Sequence, residues 1–314
     1  MKKIIIFLFL SIASIFPLMA LDNVNLEWIK KDEAIIKSML DFIEHKDFSD
    51  EEINKFITST QKNAGEPRKM GFGLKKLFFG FSEGYIGVTI DYVSYKKMPC
   101  KLILSVHSHE FCTIKNHLNK DVAANFFSVF KPAKGFYGLD AYIFAYDFAD
   151  NYKKFSEHKK TLAGEMKDIQ LPKEYQAYYD FLFSAETETV YGYMCGIGGD
   201  KPEGRRAMEK LLNLNDKNVF INLLKGDNPC GRIYAAEGLL RLENSKENVK
   251  IINEIFSQLR KERVTYTKAD GCFFSEGEKY TLYKYDENLT FPEDLTYPDT
   301  SEEKDFVLNL DFPD

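Results

Sequence analysis

The chain has 314 residues, 44% hydrophobic and 15% aromatic, with 42 basic against 48 acidic side chains and a formal net charge of −6. That composition excludes a wholly disordered chain and leaves room for one large or two ordinary domains once a leader is removed. Ten acids and one lysine fall within residues 286–314, so the rest of the chain is close to neutral and no face is marked for nucleic acid.

Residues 1–20 read as a signal peptide. Lys2 and Lys3 form the charged region, residues 4–16 the apolar core, and Pro17-Leu18-Met19-Ala20 a cleavage site before Leu21. The apolar run is short for a span of about 20 residues, and no other segment is long enough, so no stable membrane span is expected after cleavage. No cysteine follows the apolar run, which argues against a lipoprotein. The expected destination is the periplasm or the cell exterior.

An α+β region is expected over residues 21–195. Residues 24–46 are amphipathic and predict a helix. Ser49 with Glu52 is a capping box that opens a second, short helix through Ile57. Glycines and cations break the pattern over residues 65–76. Arg68, Lys69, Lys75 and Lys76 are expected to form a solvated loop rather than a phosphate site. Residues 77–95, rich in aromatic and β-branched side chains, predict a hairpin turning at Ser82-Glu83-Gly84, and residues 102–107 a third strand of an antiparallel sheet. A helix over 122–130, a turn over 132–135 and a strand over 139–146 follow. Two more helices are expected over 153–167 and 172–185.

Residues 200–263 are the most clearly patterned stretch, within a helical module expected over residues 196–263. Asp200 with Glu203, Asp216, Asn228-Pro229 and Ser245 each mark a helix start. The helices bury Ala207, Met208, Leu211 and Leu212, then Val219, Phe220, Leu223 and Leu224, and finally Val249, Ile252, Phe256 and Leu259. The helix beginning at Pro229 carries Gly231, Ala235, Ala236 and Gly238. Glycine inside a helix costs up to about 1 kcal/mol against alanine, so a closely approaching neighbour is expected. Short links favour antiparallel hairpins. With these helix lengths and the small residues of the third helix, the stretch resembles a pair of HEAT-like helical repeats. The resemblance implies a packing or binding surface, and a possible protein partner, rather than a reaction. Residues 264–285 read as a short β-like segment, with strands over 264–267 and 278–285 and turns at Asp270-Gly271 and Gly277. Residues 286–314 read as an extended or disordered acidic tail.

His107-Ser108-His109 is the sharpest local feature. On a strand, residues i and i+2 share a face, and Cys112 and His117 follow closely. The metal-ligand set would be His107, His109, Cys112 and His117, for zinc or copper. The spacing matches no established zinc pattern, so an ordinary strand is the preferred reading. Cys195 precedes Gly196-Ile197-Gly198-Gly199, which could nest an anion, but no histidine is placed beside it as a base. There is no GxSxG, HExxH or phosphate-loop motif. Cys230 and Cys272, among cysteines 100, 112, 195, 230 and 272, are the first candidates for a disulfide in an exported chain. The aromatic run Phe136, Tyr137, Tyr142, Phe144, Tyr146 and Phe148 suggests a core stripe before a ligand groove.

The expected architecture is therefore α+β, with an antiparallel sheet in the N-terminal and middle region followed by a helical-hairpin module. The expected role is a non-catalytic binding or scaffold component of the cell envelope, with no cofactor. The rival is a metal-binding protein or envelope hydrolase built on His107 and His109.

Overall fold

Apolar side chains recur every second residue through the middle of the chain and every three to four elsewhere, and each period becomes the matching element. The computed structural model describes residues 26–45, 48–60, 65–108, 118–134, 140–187, 189–193, 195, 200–270 and 273–291. Over these the fold is mixed α+β. The first part contains α1 (Leu26–His45), α2 (Asp50–Thr60), β1 (Arg68–Gly71), β2 (Leu74–Ser82), β3 (Ile86–Tyr95), β4 (Met98–Ser108), α3 (Lys120–Val129), β5 (Lys131–Lys134) and β6 (Asp140–Asp147). The second part contains α4 (Ala149–Ala163), α5 (Lys173–Phe183), α6 (Glu203–Leu212), α7 (Lys217–Leu224), α8 (Pro229–Leu242), α9 (Lys246–Lys261), β7 (Thr265–Asp270) and β8 (Phe273–Lys279). No helix among the described residues is long and apolar enough to cross a membrane.

Six strands form one antiparallel sheet in the order β1-β2-β3-β4-β6-β5. Alternation gives the sheet two faces. Val88, Ile90, Leu102, Leu104 and Val106 point to one side, where Ile36 and Met39 of α1, Ile53 and Phe56 of α2 and Phe126 of α3 close a first core. Asp32 of α1 is fully buried. Its carboxylate accepts the main-chain N–H groups of Tyr85 (3.0 Å) and Ile86 (3.4 Å), tying the helix to the β2–β3 turn. The aromatic run belongs to the rim of this core: Tyr142 packs edge-on to Phe126 and Phe127, and Phe144 and Tyr146 flank Phe48. Phe136 and Tyr137 lie outside the described residues.

A second core surrounds α8, whose residues 229–240 are all buried. It draws in Met70, Phe72, Leu74, Val93, Tyr95 and Cys100 from one end of the sheet, and Phe181 and Leu182 from α5, so apolar packing runs continuously across residue 195. The β1–β2 turn, Gly71-Phe72-Gly73, enters this core. All three residues have positive φ (104°, 55° and 83°), and Phe72 is fully buried beneath the Arg232 guanidinium. A Cβ on Gly71 would stand 2.6 Å from Leu259 Cδ2.

Several sequence expectations are met. Ser49 Oγ accepts from Glu52 N–H, and Asn228 caps α8 with Pro229 in its first turn. Asp216 and Ser245 cap α7 and α9. Others are corrected. Residues 131–134 form edge strand β5 rather than a turn, since an edge tolerates the missing N–H of Pro132. Helix α4 starts four residues early and stops at Gly164, whose φ of 78° suits a helix end. The N-cap of α6 is Pro202, not Asp200, and it makes no side-chain cap bond. The last strand is Phe273–Lys279 rather than 278–285. The tail is held at its start: Asn244 donates to Asp286 O, and Leu289 and Phe291 pack against the second core. Residues 292–314 lie outside the described residues.

The β3–β4 turn carries a local cost. Lys96 and Lys97 both adopt positive φ, 48° and 64°. Left-handed backbone costs a residue with a Cβ about 1–2 kcal/mol, and two-residue hairpin turns favour Asn-Gly. The double substitution Lys96→Asn, Lys97→Gly is expected to raise unfolding free energy by about 1 kcal/mol. Urea denaturation checks this, and an unchanged or lower midpoint would contradict it.

Candidate binding cleft

Where the sheet meets the helices, two cavities open side by side. The first, about 390 Å³, is lined by Val93 and Cys100 of the sheet, Ala149 and Tyr152 of α4, Ala185 after α5, and the charged Lys101, Asp147, Glu186 and Asp227. The second, about 320 Å³, lies between Arg68, Lys76 and Phe78 on one side and Thr187, Thr189, Asn228, Cys230 and Thr267 on the other. Both volumes fall in the range of small-molecule sites, about 300–1,000 Å³.

Ionic struts hold the seam open. Asp227, in the α7–α8 link, is almost fully buried. One carboxylate oxygen accepts from Lys159 Nζ at 2.7 Å and the other from the Tyr152 hydroxyl at 2.6 Å. Its main-chain N–H donates to Phe183 O. Asn228 beside it accepts from the N–H groups of Cys230 and Gly231 and donates to the Phe181 and Thr187 carbonyls, so one side chain caps α8 and anchors the end of α5. Across the seam, Lys101 pairs with Glu186 (2.5 Å) and Asp147 (3.3 Å). Lys76 is buried, paired with Asp91 at 2.9 Å, and donates to the Ala185 and Glu186 carbonyls at 3.0 Å each. The expected solvated loop of four cations is thus two strands with one lysine inside. A buried ammonium persists only when paired, and the partners come from β3 and the segment after α5.

Proton affinities follow from this packing. Burial, reinforced by the Asp227 charge, pushes the Cys100 thiol up to about 11, so it remains protonated at neutral pH. Burial and the same carboxylate push the Tyr152 hydroxyl far above its usual range. Burial works against the Lys101 ammonium, but Glu186 and Asp147 more than reverse it and hold it above the ordinary lysine value. All three shifts keep the neutral thiol, the neutral phenol and the ammonium in place. They oppose nucleophilic or general-base use of these groups.

Of the metal ligands and the thiol nucleophile read from the sequence, His107 and Cys195 are among the described residues, and neither lines these two cavities. His107 sits half-buried on β4, its Nε2 3.3 Å from Thr89 Oγ1, and burial lowers its proton affinity. His109, Cys112 and His117 lie outside the described residues. Among the described residues no three His, Cys, Asp or Glu side chains converge on a point where an ion could sit. Cys195 lies on a bridge in which its N–H donates to Asp200 O, and burial followed by the Asp200 charge raises its thiol. Residues 196–199 lie outside the described residues. Cys230 is buried with its thiol directed at the Thr267 carbonyl, and Cys272, its expected disulfide partner, lies outside the described residues.

Sequence reasoning passed over Asp227, Lys159, Tyr152, Lys101 and Glu186. The partners of Asp227 stand 68 and 75 residues away, so no local spacing signals them. The one available hint was Asp227-Asn228-Pro229, a polar cluster between two strongly apolar helices. Comparison with known proteins returns no match: no family model fits the chain, and no curated protein and no solved structure is similar to it.

Proposed function

We propose that the chain is an exported cell-envelope protein that works by binding, as a non-catalytic component, with the cavity beside Tyr152 as its small-ligand site. The observation that carries this reading is the saturation of the cavity's ionisable groups. Both oxygens of Asp227 are engaged, Lys101 is paired twice, and the Cys100 and Tyr152 protons are held tightly. Such groups shape and brace a pocket, and the Cys100 thiol and Tyr152 hydroxyl keep their protons near neutral pH. Export is supported by the charged, apolar and small-residue order of residues 1–20. The HEAT-like reading of residues 196–263 adds a protein partner on the helical side, and the near-neutral body argues against nucleic acid.

A fragment screen by NMR is expected to shift the amides of Val93, Cys100, Tyr152 and Ala185. Ala149→Trp, which fills the cavity mouth, is expected to abolish those shifts without changing stability. Two results would overturn the proposal. One is turnover of a substrate that vanishes in a folded Asp227→Asn variant. The other is stoichiometric zinc or copper lost on replacing His107 and His109 by alanine, which would favour the metal-dependent rival.

A further inference from the structure

Strand β2 is nine residues long, but β1 covers only its beginning. Arg68, Lys69 and Gly71 pair with Lys76, Lys75 and Leu74, and among the described residues nothing pairs with the same outer edge over residues 77–82. The inner edge is fully used, from Leu74–Tyr95 through Ser82–Gly87. A bare edge of this length offers a row of main-chain donors and acceptors to any extended segment, and proteins normally block or cover it. Here the blocking devices are weak. Gly80 has no side chain, and Phe78 is 48% exposed. Phe79 and Phe81, stacked with centroids 6.0 Å apart, are only partly covered at the rim of the first core. Cations gather at the covered end: Arg68, Lys69 and Lys75 stand beside the paired Lys76.

One segment of this chain has the complementary pattern. Residues 305–312 read Asp-Phe-Val-Leu-Asn-Leu-Asp-Phe, with Phe306, Leu308, Leu310 and Phe312 at every second position. Such alternation describes a strand with one apolar face. It sits within residues 292–314, which hold eight acids and one lysine, opposite in sign to the β1–β2 cations.

The distances allow the connection. The described chain ends at Phe291, whose ring lies under the Arg241 guanidinium near the end of α8. The other end of α8, at Cys230, borders the cavity shared with Leu77 and Phe78. Helix α8 has 14 residues and is therefore about 21 Å long. The 13 residues 292–304 reach at most about 43–47 Å when extended.

We propose that residues 305–312 add to the outer edge of β2 over residues 77–82 within the same chain. Their four large apolar side chains then cover Phe79 and Phe81, and the flanking acids lie toward Arg68, Lys69 and Lys75. The tail thereby becomes a seventh strand that guards the sheet edge beside the second cavity. This goes beyond the binding reading and does not depend on it.

Hydrogen exchange followed by mass spectrometry tests the pairing on the full chain. The amides of residues 77–82 are expected to exchange at least tenfold faster when the chain is ended at Lys304, and equally so in a full-length Leu308→Asp, Leu310→Asp variant. Exchange in α8 should stay unchanged and so report an intact fold. A synthetic peptide of residues 303–314 added to the shortened chain should restore protection. Equal exchange of residues 77–82 in all forms would overturn the proposal. Protection that grows with protein concentration would overturn the arrangement within one chain and assign the strand to a second copy.

Discussion

Replacing Glu237 by alanine is expected to destabilise the fold by about 3–5 kcal/mol, the usual cost of breaking a buried ion pair from one side. Glu237 lies on α8 with no exposed surface, facing an Arg205 that is equally buried. Its two oxygens receive both terminal nitrogens of Arg205, at 2.8 and 2.9 Å. Arg241 approaches the first oxygen at 2.7 Å, and the Tyr191 hydroxyl donates to the second at 2.9 Å. Arg205 also donates through Nε to Gly192 O and lies over the Tyr193 ring at 3.9 Å. Burial alone would weaken the arginine's hold on its proton; the hydrogen bonds and charge of Glu237 reverse that and raise it above the ordinary value. Without the carboxylate, a guanidinium remains in an apolar interior with one carbonyl and aromatic faces for company. A double variant, Arg205→Met with Glu237→Leu, removes both charges and should lose much less than the single change. Urea denaturation of the three proteins measures this. A Glu237→Ala protein within about 1 kcal/mol of the parent would refute the account.

Gly231→Ala is expected to cost about 3 kcal/mol or more, although alanine normally favours a helix interior by up to about 1 kcal/mol over glycine. A Cβ at this position would overlap the Leu182 carbonyl oxygen and stand 2.8 Å from its carbon. Those are main-chain atoms of α5, tied nearby by the Asn228 amide to Phe181 O, so no flexible side chain can move aside. Steric overlap therefore sets the sign. Gly65→Ala supplies the control, because a Cβ at residue 65 would meet nothing within 4 Å. A Gly231→Ala chain that melts at or above the parent temperature would show that the two helices can separate at little cost. Gly238, whose added Cβ would overlap the edge of the Phe220 ring, obeys the same logic with a softer neighbour.

The small residues of α8 were legible because an expensive residue in a helix calls for a compensating contact. Their partners were not legible: Gly231 meets Leu182, from a segment assigned by sequence to the preceding region. The cleft was opaque for a related reason. Lys76 read as part of a solvated loop, and Lys159 and Asp227 carried no local signal, because burying a charge is unfavourable until its partner is identified. Each partner arrives from another part of the chain. His107 drew notice for the opposite reason: it belongs to a compact local string, whereas the acids and lysines that frame the cavities stand isolated in the sequence.

Helix starts and strand faces are settled between neighbouring residues and can be read without a fold. Asp216, Asn228 and Ser245 offer side-chain oxygens to the orphan N–H groups of the next turn, so α7, α8 and α9 begin where those residues stand. The period-two pattern of residues 77–95 likewise set a hairpin with one buried face. Which charges could be buried, which glycines were indispensable and where the cavities opened emerged only once distant segments met. Those outcomes depend on desolvation and steric contact between groups as far as 197 residues apart, as between Arg68 and the Thr265 carbonyl, and such terms acquire a value only when the chain has closed on itself.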